Sequence, residues 1–154
     1  MKYIRVFEKF DQPFKSFNPY VNLIMKGLDE IYVRDNIRTD SIRTGIINKN
    51  SGKLDILSGN QMDKKTSRMM VQIKYYGNSI KISITTSMIK QLEYLNYLCS
   101  IFCKNAPSNY PNQDGDYFIQ QTNYFLPLDK VDEFIKRLTL EEENVYNTAK
   151  KYNV

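Results

Sequence analysis

Residues 68–85 constrain this chain most, because two alternating runs flank a turn pair and admit a single register. Met69, Val71, Ile73 and Tyr75 are apolar at every second position, and so are Ile80, Ile82 and Ile84. That is the two-residue period of strands with one buried face. Gly77-Asn78 between them supplies the positive φ of a two-residue hairpin turn. A loop at 77–78 opposes Tyr75 with Ile80, Ile73 with Ile82 and Val71 with Ile84. Slipping the pairing by one residue would turn each apolar side chain away from its partner.

The same register predicts the other face of the hairpin. Lys74 falls opposite Lys81, Gln72 opposite Ser83, Met70 opposite Thr85 and Tyr76 opposite Ser79. Two lysines facing each other repel by ~0.2–1 kcal/mol. A neighbouring carboxylate relieves that repulsion, and so does a bound phosphate backbone. Arg68 extends the basic patch, Tyr76 offers a ring for stacking, and Arg38 and Arg43 are expected to join them. Cations for phosphates beside aromatics for bases form the pattern of a surface that binds single-stranded nucleic acid. Lys2, Arg5 and the aromatic run Phe10, Phe14, Phe17 and Tyr20 are further candidates. The competing readings are a solvated basic face for the cations and core packing for the aromatics.

Charge is distributed in the same sense. Residues 1–90 carry 16 Lys/Arg against 8 Asp/Glu, and residues 91–154 carry 6 against 9, so a half at +8 precedes a half at −3 within the chain's net +5. A basic half points to a polyanionic partner. Ile, Asn, Lys and Tyr are abundant while Ala occurs only at Ala106 and Ala149, the bias of AT-rich coding and the reason to expect a low-GC bacterium or one of its phages.

Elsewhere the pattern alternates between short strands and helices. Residues 1–10 read as a strand. Asn18 and Pro19 read as N-cap and first residue of a helix to about residue 30 that buries Leu23, Ile24 and Leu28, with Gly27 weakening it and leaving a strand as the alternative. Residues 31–34 read as a strand, and 45–58 as a hairpin turning at Asn50-Ser51-Gly52, with a loop of either two or three residues. Thr85, Thr86 and Ser87 are N-cap candidates for a helix over 88–102, where Ile89, Leu92, Leu95, Cys99 and Phe102 recur at helical spacing. Residues 104–116, with Pro107, Pro111 and Gly115, read as a long flexible loop, and 116–126 as a strand. The C-terminal segment 129–152 reads as helical. Asp129 is expected to cap a helix with Val131, Phe134, Ile135 and Leu138 on its apolar stripe. Thr139-Leu140-Glu141-Glu142 has the form of a capping box opening a last helix.

These elements make one α+β domain over 1–154, an antiparallel sheet of about four to six strands with helices on one face. Four strands from 31 to 85 followed at once by a helix give an order, over residues 31–103, that resembles the unit of whirly-type and purine-rich-element-binding (PUR) domains. That resemblance implies single-strand binding on a curved sheet and pairing into a homodimer or higher oligomer.

Several chemistries lack their residues. With no His in the chain, His-based acid–base catalysis and Ser–His or Cys–His nucleophile pairs are absent. The isolated glycines form no phosphate loop. Cys99 and Cys103 lie four apart on a predicted helix face, a poor disulfide geometry, and read as buried reduced thiols. The acidic groups Asp129-Asp132-Glu133 and Glu141-Glu142-Glu143 stand at predicted helix starts, where carboxylates stabilise the dipole. The expectation is therefore a non-catalytic protein with no cofactor and no metal. No signal-like or bilayer-length apolar run occurs, so the expected setting is intracellular and cytoplasmic, without a membrane. The alternative to single-stranded nucleic acid, preferably DNA in replication, is a small phage protein that occupies an acidic or nucleic-acid-binding host or defence protein by charge.

Overall fold

Asn18 begins the first helix as its sequence indicates: the Tyr20 N–H donates to Asn18 Oδ1 at 3.0 Å, and Pro19 takes the first helical position of α1 (Pro19–Leu28). The computed structural model describes residues 18–34, 42–58, 66–105, 110–114 and 117–152. The expected strand over 1–10 lies outside them. Helix α1 buries Val21, Ile24, Met25 and Leu28. Leu23, expected in the core, is instead 43% exposed, because it falls off the i, i+3, i+4, i+7 spacing of Val21, Ile24, Met25 and Leu28. Residues 31–34, read as a strand, continue α1 as a π-helical segment (Asp29–Arg34) that buries Ile31 and Tyr32.

Among the described residues seven strands form one antiparallel sheet: β1 (Ile42–Asn48), β2 (Ser51–Ser58), β3 (Thr66–Tyr75), β4 (Ser79–Thr85), β5 (Lys104–Asn105), β6 (Tyr110–Asp114) and β7 (Tyr117–Pro127). Their order is β1-β2-β3-β4-β7-β5, with β6 also on β7. Gln121 pairs both Thr85 of β4 and Tyr110 of β6, and Tyr124 pairs both Ile82 and Asn105. So β5 and β6 share the outer edge of β7 and run in the same direction. Within the loop expected over 104–116, Lys104–Asn105 and Tyr110–Asp114 are thus edge strand, and the rest of it lies outside the described residues.

The register of the central hairpin is the predicted one: Val71↔Ile84, Gln72↔Ser83, Ile73↔Ile82, Lys74↔Lys81 and Tyr75↔Ile80. Gly77 carries φ +90° in its two-residue turn, closed by the Tyr76 N–H donating to the Ser79 carbonyl at 2.9 Å. The preceding hairpin turns at Lys49-Asn50, one residue earlier than expected, with a register shift between Ile46 and Asn48. An Asx turn makes this site favourable, since the Asn50 N–H donates to Asn48 Oδ1 at 2.9 Å.

Helices cover one face. Thr86–Met88 is a single 3-10 turn, and α2 (Glu93–Phe102) begins five residues later than its apolar stripe suggested. After β7 a second 3-10 turn (Leu128–Lys130) leads into α3 (Val131–Arg137), so Asp129 lies in that turn and Lys130, not Asp129, is the N-cap. The last helix is α4 (Leu140–Lys151), where Thr139 Oγ1 accepts from the Glu142 N–H at 3.2 Å as the capping box requires. One core joins Ile24, Met25 and Leu28 of α1, Leu54, Val71, Ile73, Ile80, Ile82, Ile84 and Leu126 of the sheet, Leu95 and Leu98 of α2, and Phe134 of α3. Each such side chain removed from water contributes roughly 1.5–3 kcal/mol. Cys99 is buried in this core and Cys103 half-buried, both as free thiols. Burial pushes the Cys99 thiol well above its ordinary pKa. The fold is α+β.

Candidate nucleic-acid interface

Alternation in the sheet fixes which side chains share the face away from the helices. Cross-strand partners Ser51↔Lys74, Lys74↔Lys81, Lys81↔Phe125 and Phe125↔Lys104 form one row across β2, β3, β4, β7 and β5. Adjacent strands stand about 4.8 Å apart, so this row crosses about 19 Å. A second row, Lys53, Gln72, Ser83 and Asn123, follows behind it.

The first row ends the sheet in cations and rings. Lys74 and Lys81 are half-buried. Their ammonium groups stand 4.9 and 5.9 Å from the centre of the Tyr76 ring. The ring's negative face offsets part of their mutual repulsion, so the relief expected from a carboxylate comes in part from an aromatic. Among the described residues neither lysine has a carboxylate partner. Tyr76 is 47% exposed, and its ring centre lies 6.4 Å from that of Phe125 at an interplanar angle of 58°. Lys104, exposed, closes the row at the sheet edge.

The rows behind are not open basic surface. Ser83 and Asn123 are buried and joined by a hydrogen bond from Ser83 Oγ to Asn123 Oδ1 of 2.7 Å. Gln121 and Asp55 are buried as well, Asp55 pairing with Lys53 Nζ at 3.0 Å. The Thr85 hydroxyl donates to the Met69 carbonyl at 2.6 Å. Among the described residues Lys74, Lys81 and Lys104 cluster at the hairpin end of this face, with Arg43 exposed apart from them on β1.

The six sequence candidates divide accordingly. Lys74, Lys81 and Tyr76 come together. Arg68 leaves them: β3 carries an extra residue, Met70, between the pairs Leu54↔Val71 and Asp55↔Met69. Such a bulge resets the alternation, so Arg68 pairs with Ile56 and takes the side opposite to Lys74. The bulge also removes Met69 from the apolar face and Met70 from its expected pairing with Thr85. Arg43 is exposed on β1 and pairs in register with Asp55, two strands from Lys74. Arg38 lies outside the described residues, as do Lys2, Arg5, Phe10, Phe14 and Phe17. Tyr20 stacks on Tyr75, with ring centres 6.1 Å apart and planes at 22°, on the helix side of the sheet. Phe125 and Lys104 were not legible as members of the site, because nothing local in 104–127 states that β7 pairs with β4.

No three His, Cys, Asp or Glu residues among the described ones are grouped to hold a metal ion. Asp132 and Glu133 occupy the first turn of α3, and Glu141, Glu142 and Glu143 that of α4. No helix among the described residues is long and apolar enough to cross a membrane. Compared with known proteins, the chain matches no family model, no curated protein and no solved structure. The resemblance to whirly and PUR units therefore stands on element order alone, which the structure shows as β1-β2-β3-β4 followed by α2 with β7 added beside β4.

Proposed function

We propose that this protein binds single-stranded nucleic acid without catalysing a reaction on it, through the row Lys74, Lys81, Phe125 and Lys104 with Tyr76 at its end. The observation that carries this reading is the pair of lysines that face each other with no carboxylate partner among the described residues and share one exposed ring. Phosphates take the place of the missing anion, and a base stacks on Tyr76 and the neighbouring Phe125. Alternating cation and aromatic contacts are tolerant of sequence, since every base has a π-face. The strand crosses β3, β4 and β7 at the hairpin end and not over the buried polar rows behind it.

Titration of a fluorescent single-stranded oligonucleotide at two salt concentrations tests the proposal. Binding is expected at low salt and to weaken as salt rises, because each neutralised phosphate releases counterions. No binding at low salt, or binding indifferent to salt, sinks it.

A further inference from the structure

Helix α4 has an outward face that no other described element packs against. None of its residues is buried. It is tied down from within by Tyr146, whose ring packs 4.6 Å from that of Tyr97 and 5.3 Å from that of Tyr94, and by the Lys150–Glu93 ion pair. A helix of this length is marginal in water without an apolar face to bury. On the outer side, Glu141, Asn144, Val145, Thr148, Ala149 and Tyr152 line an open groove of about 510 Å³. Val145 and Tyr152 are 61% and 67% exposed. Their spacing of four, three and four residues, from Glu141 through Val145 and Thr148 to Tyr152, is that of a single helical stripe.

We infer that this face pairs with the same face of a second copy, the two α4 helices running antiparallel. The stripe is complementary to itself in that direction. Two-fold pairing about its middle sets Val145 of one copy over Thr148 and Ala149 of the other, a branched side chain into a hollow made by small ones. It sets Glu141 of one copy beside Lys151 and Tyr152 of the other. Glu141 is exposed and has no partner among the described residues, and the Lys151 ammonium rests only 5.8 Å from the Tyr152 ring centre. The acidic first turn and basic last turn of α4 also oppose favourably when the helices are antiparallel, and a two-fold contact places the same patch on both copies. One short helix pair offers less than the ~800 Å² per partner of a standard interface, so the association is weak and concentration-dependent.

Sedimentation equilibrium of the full chain from micromolar to millimolar concentration is the test. A reversible monomer–dimer equilibrium is expected. Glu141→Lys and Lys151→Glu should each raise Kd roughly tenfold or more, and the two together should restore it. Val145→Asp, whose folding is checked by circular dichroism, should leave a monomer. A wild-type chain that stays monomeric at millimolar concentration overturns the inference. So does a dimer indifferent to Val145→Asp, or a charge-swapped double variant no tighter than the single ones. The contact is remote from Lys74 and Lys81 in the chain and does not depend on the nucleic-acid reading.

Discussion

Lys74 and Lys81 stand opposite one another on β3 and β4, half-buried, with no carboxylate among the described residues to separate them. The Tyr76 ring is what they share. Such a pair costs stability in the free protein and is expected to be relieved by an anionic ligand. Stability and binding should therefore respond with opposite signs to one substitution. Lys81→Glu turns a repelling cross-strand pair into an attracting one and should raise stability by about 0.2–1 kcal/mol. Oligonucleotide affinity at low salt should fall at least tenfold, and the slope of log K against log salt should become shallower by about 1 to 2. Urea denaturation and fluorescence anisotropy on the same preparation measure both. A variant that loses stability and keeps its affinity contradicts the site.

Tyr76 separates stacking from charge. Tyr76→Phe keeps the ring and should bind within about twofold of the parent, whereas Tyr76→Ala should lose about 1–3 kcal/mol of binding. Tyr76→Phe should leave the thermal midpoint unchanged, whereas Tyr76→Ala removes the ring that both lysines face and should lower stability by about 0.5–1 kcal/mol. If Ala binds as well as Phe, the ring takes no base.

How far these residues could be read from sequence depends on range. The hairpin was legible because turn and alternation are local: Gly77-Asn78 fixes the loop length, and the loop fixes every pair from Tyr75↔Ile80 to Val71↔Ile84. The Asn18 and Thr139 caps were legible for the same reason. Arg68 was misplaced because a single inserted residue, Met70, inverts all alternation before it, and bulges leave no local mark in the sequence. The π-helical continuation at Asp29–Arg34 was hidden because a short apolar run such as Ile31–Val33 fits a strand equally well until Tyr32 finds its partner on α2. Phe125 and Lys104 depend on β7 lying beside β4, a long-range choice that no turn dictates.

Gly27 shows tertiary packing overriding helix propensity. In a helix Ala is ordinarily favoured over Gly by ~1 kcal/mol. A Cβ at this position would lie 2.7 Å from Leu138 Cδ2 and 2.9 Å from the Leu138 carbonyl oxygen. The side chain can move aside, but the carbonyl belongs to the backbone that leaves α3. Gly27→Ala should therefore destabilise by about 1–3 kcal/mol, read as a lower urea midpoint at unchanged m-value. A Gly27→Ala/Leu138→Ala double variant should recover none of that loss, because the carbonyl contact persists and a cavity is added. A single variant more stable than the parent would mean that α1 and the end of α3 lie farther apart than described.

Tyr32 couples the fold to alkaline pH. Its ring is buried between the π-helical segment and α2, and its hydroxyl oxygen accepts the Leu95 N–H at 3.2 Å. Burial pushes the phenol well above its ordinary value, the effect of the Leu95 donor being smaller and opposite. Burial likewise raises Tyr94, whose hydroxyl donates to the Arg137 carbonyl, and Tyr124, whose hydroxyl donates to Asn96 Oδ1 at 2.6 Å. A tyrosine whose folded pKa is raised binds its proton more tightly in the folded state than in the unfolded one. Its contribution is fully present below about pH 10, the unfolded value, and is lost as pH rises from there toward the folded pKa. Stability should therefore be flat across neutral pH and fall steeply above about pH 10. Tyr32→Phe removes the largest of these couplings together with one hydrogen bond. It should lower stability at pH 7 by roughly 0.5–1.5 kcal/mol while making the alkaline decline shallower. Urea midpoints collected from pH 7 to pH 11 for both chains give the two slopes, and equal slopes would show that Tyr32 titrates in the folded state as it does in the unfolded one.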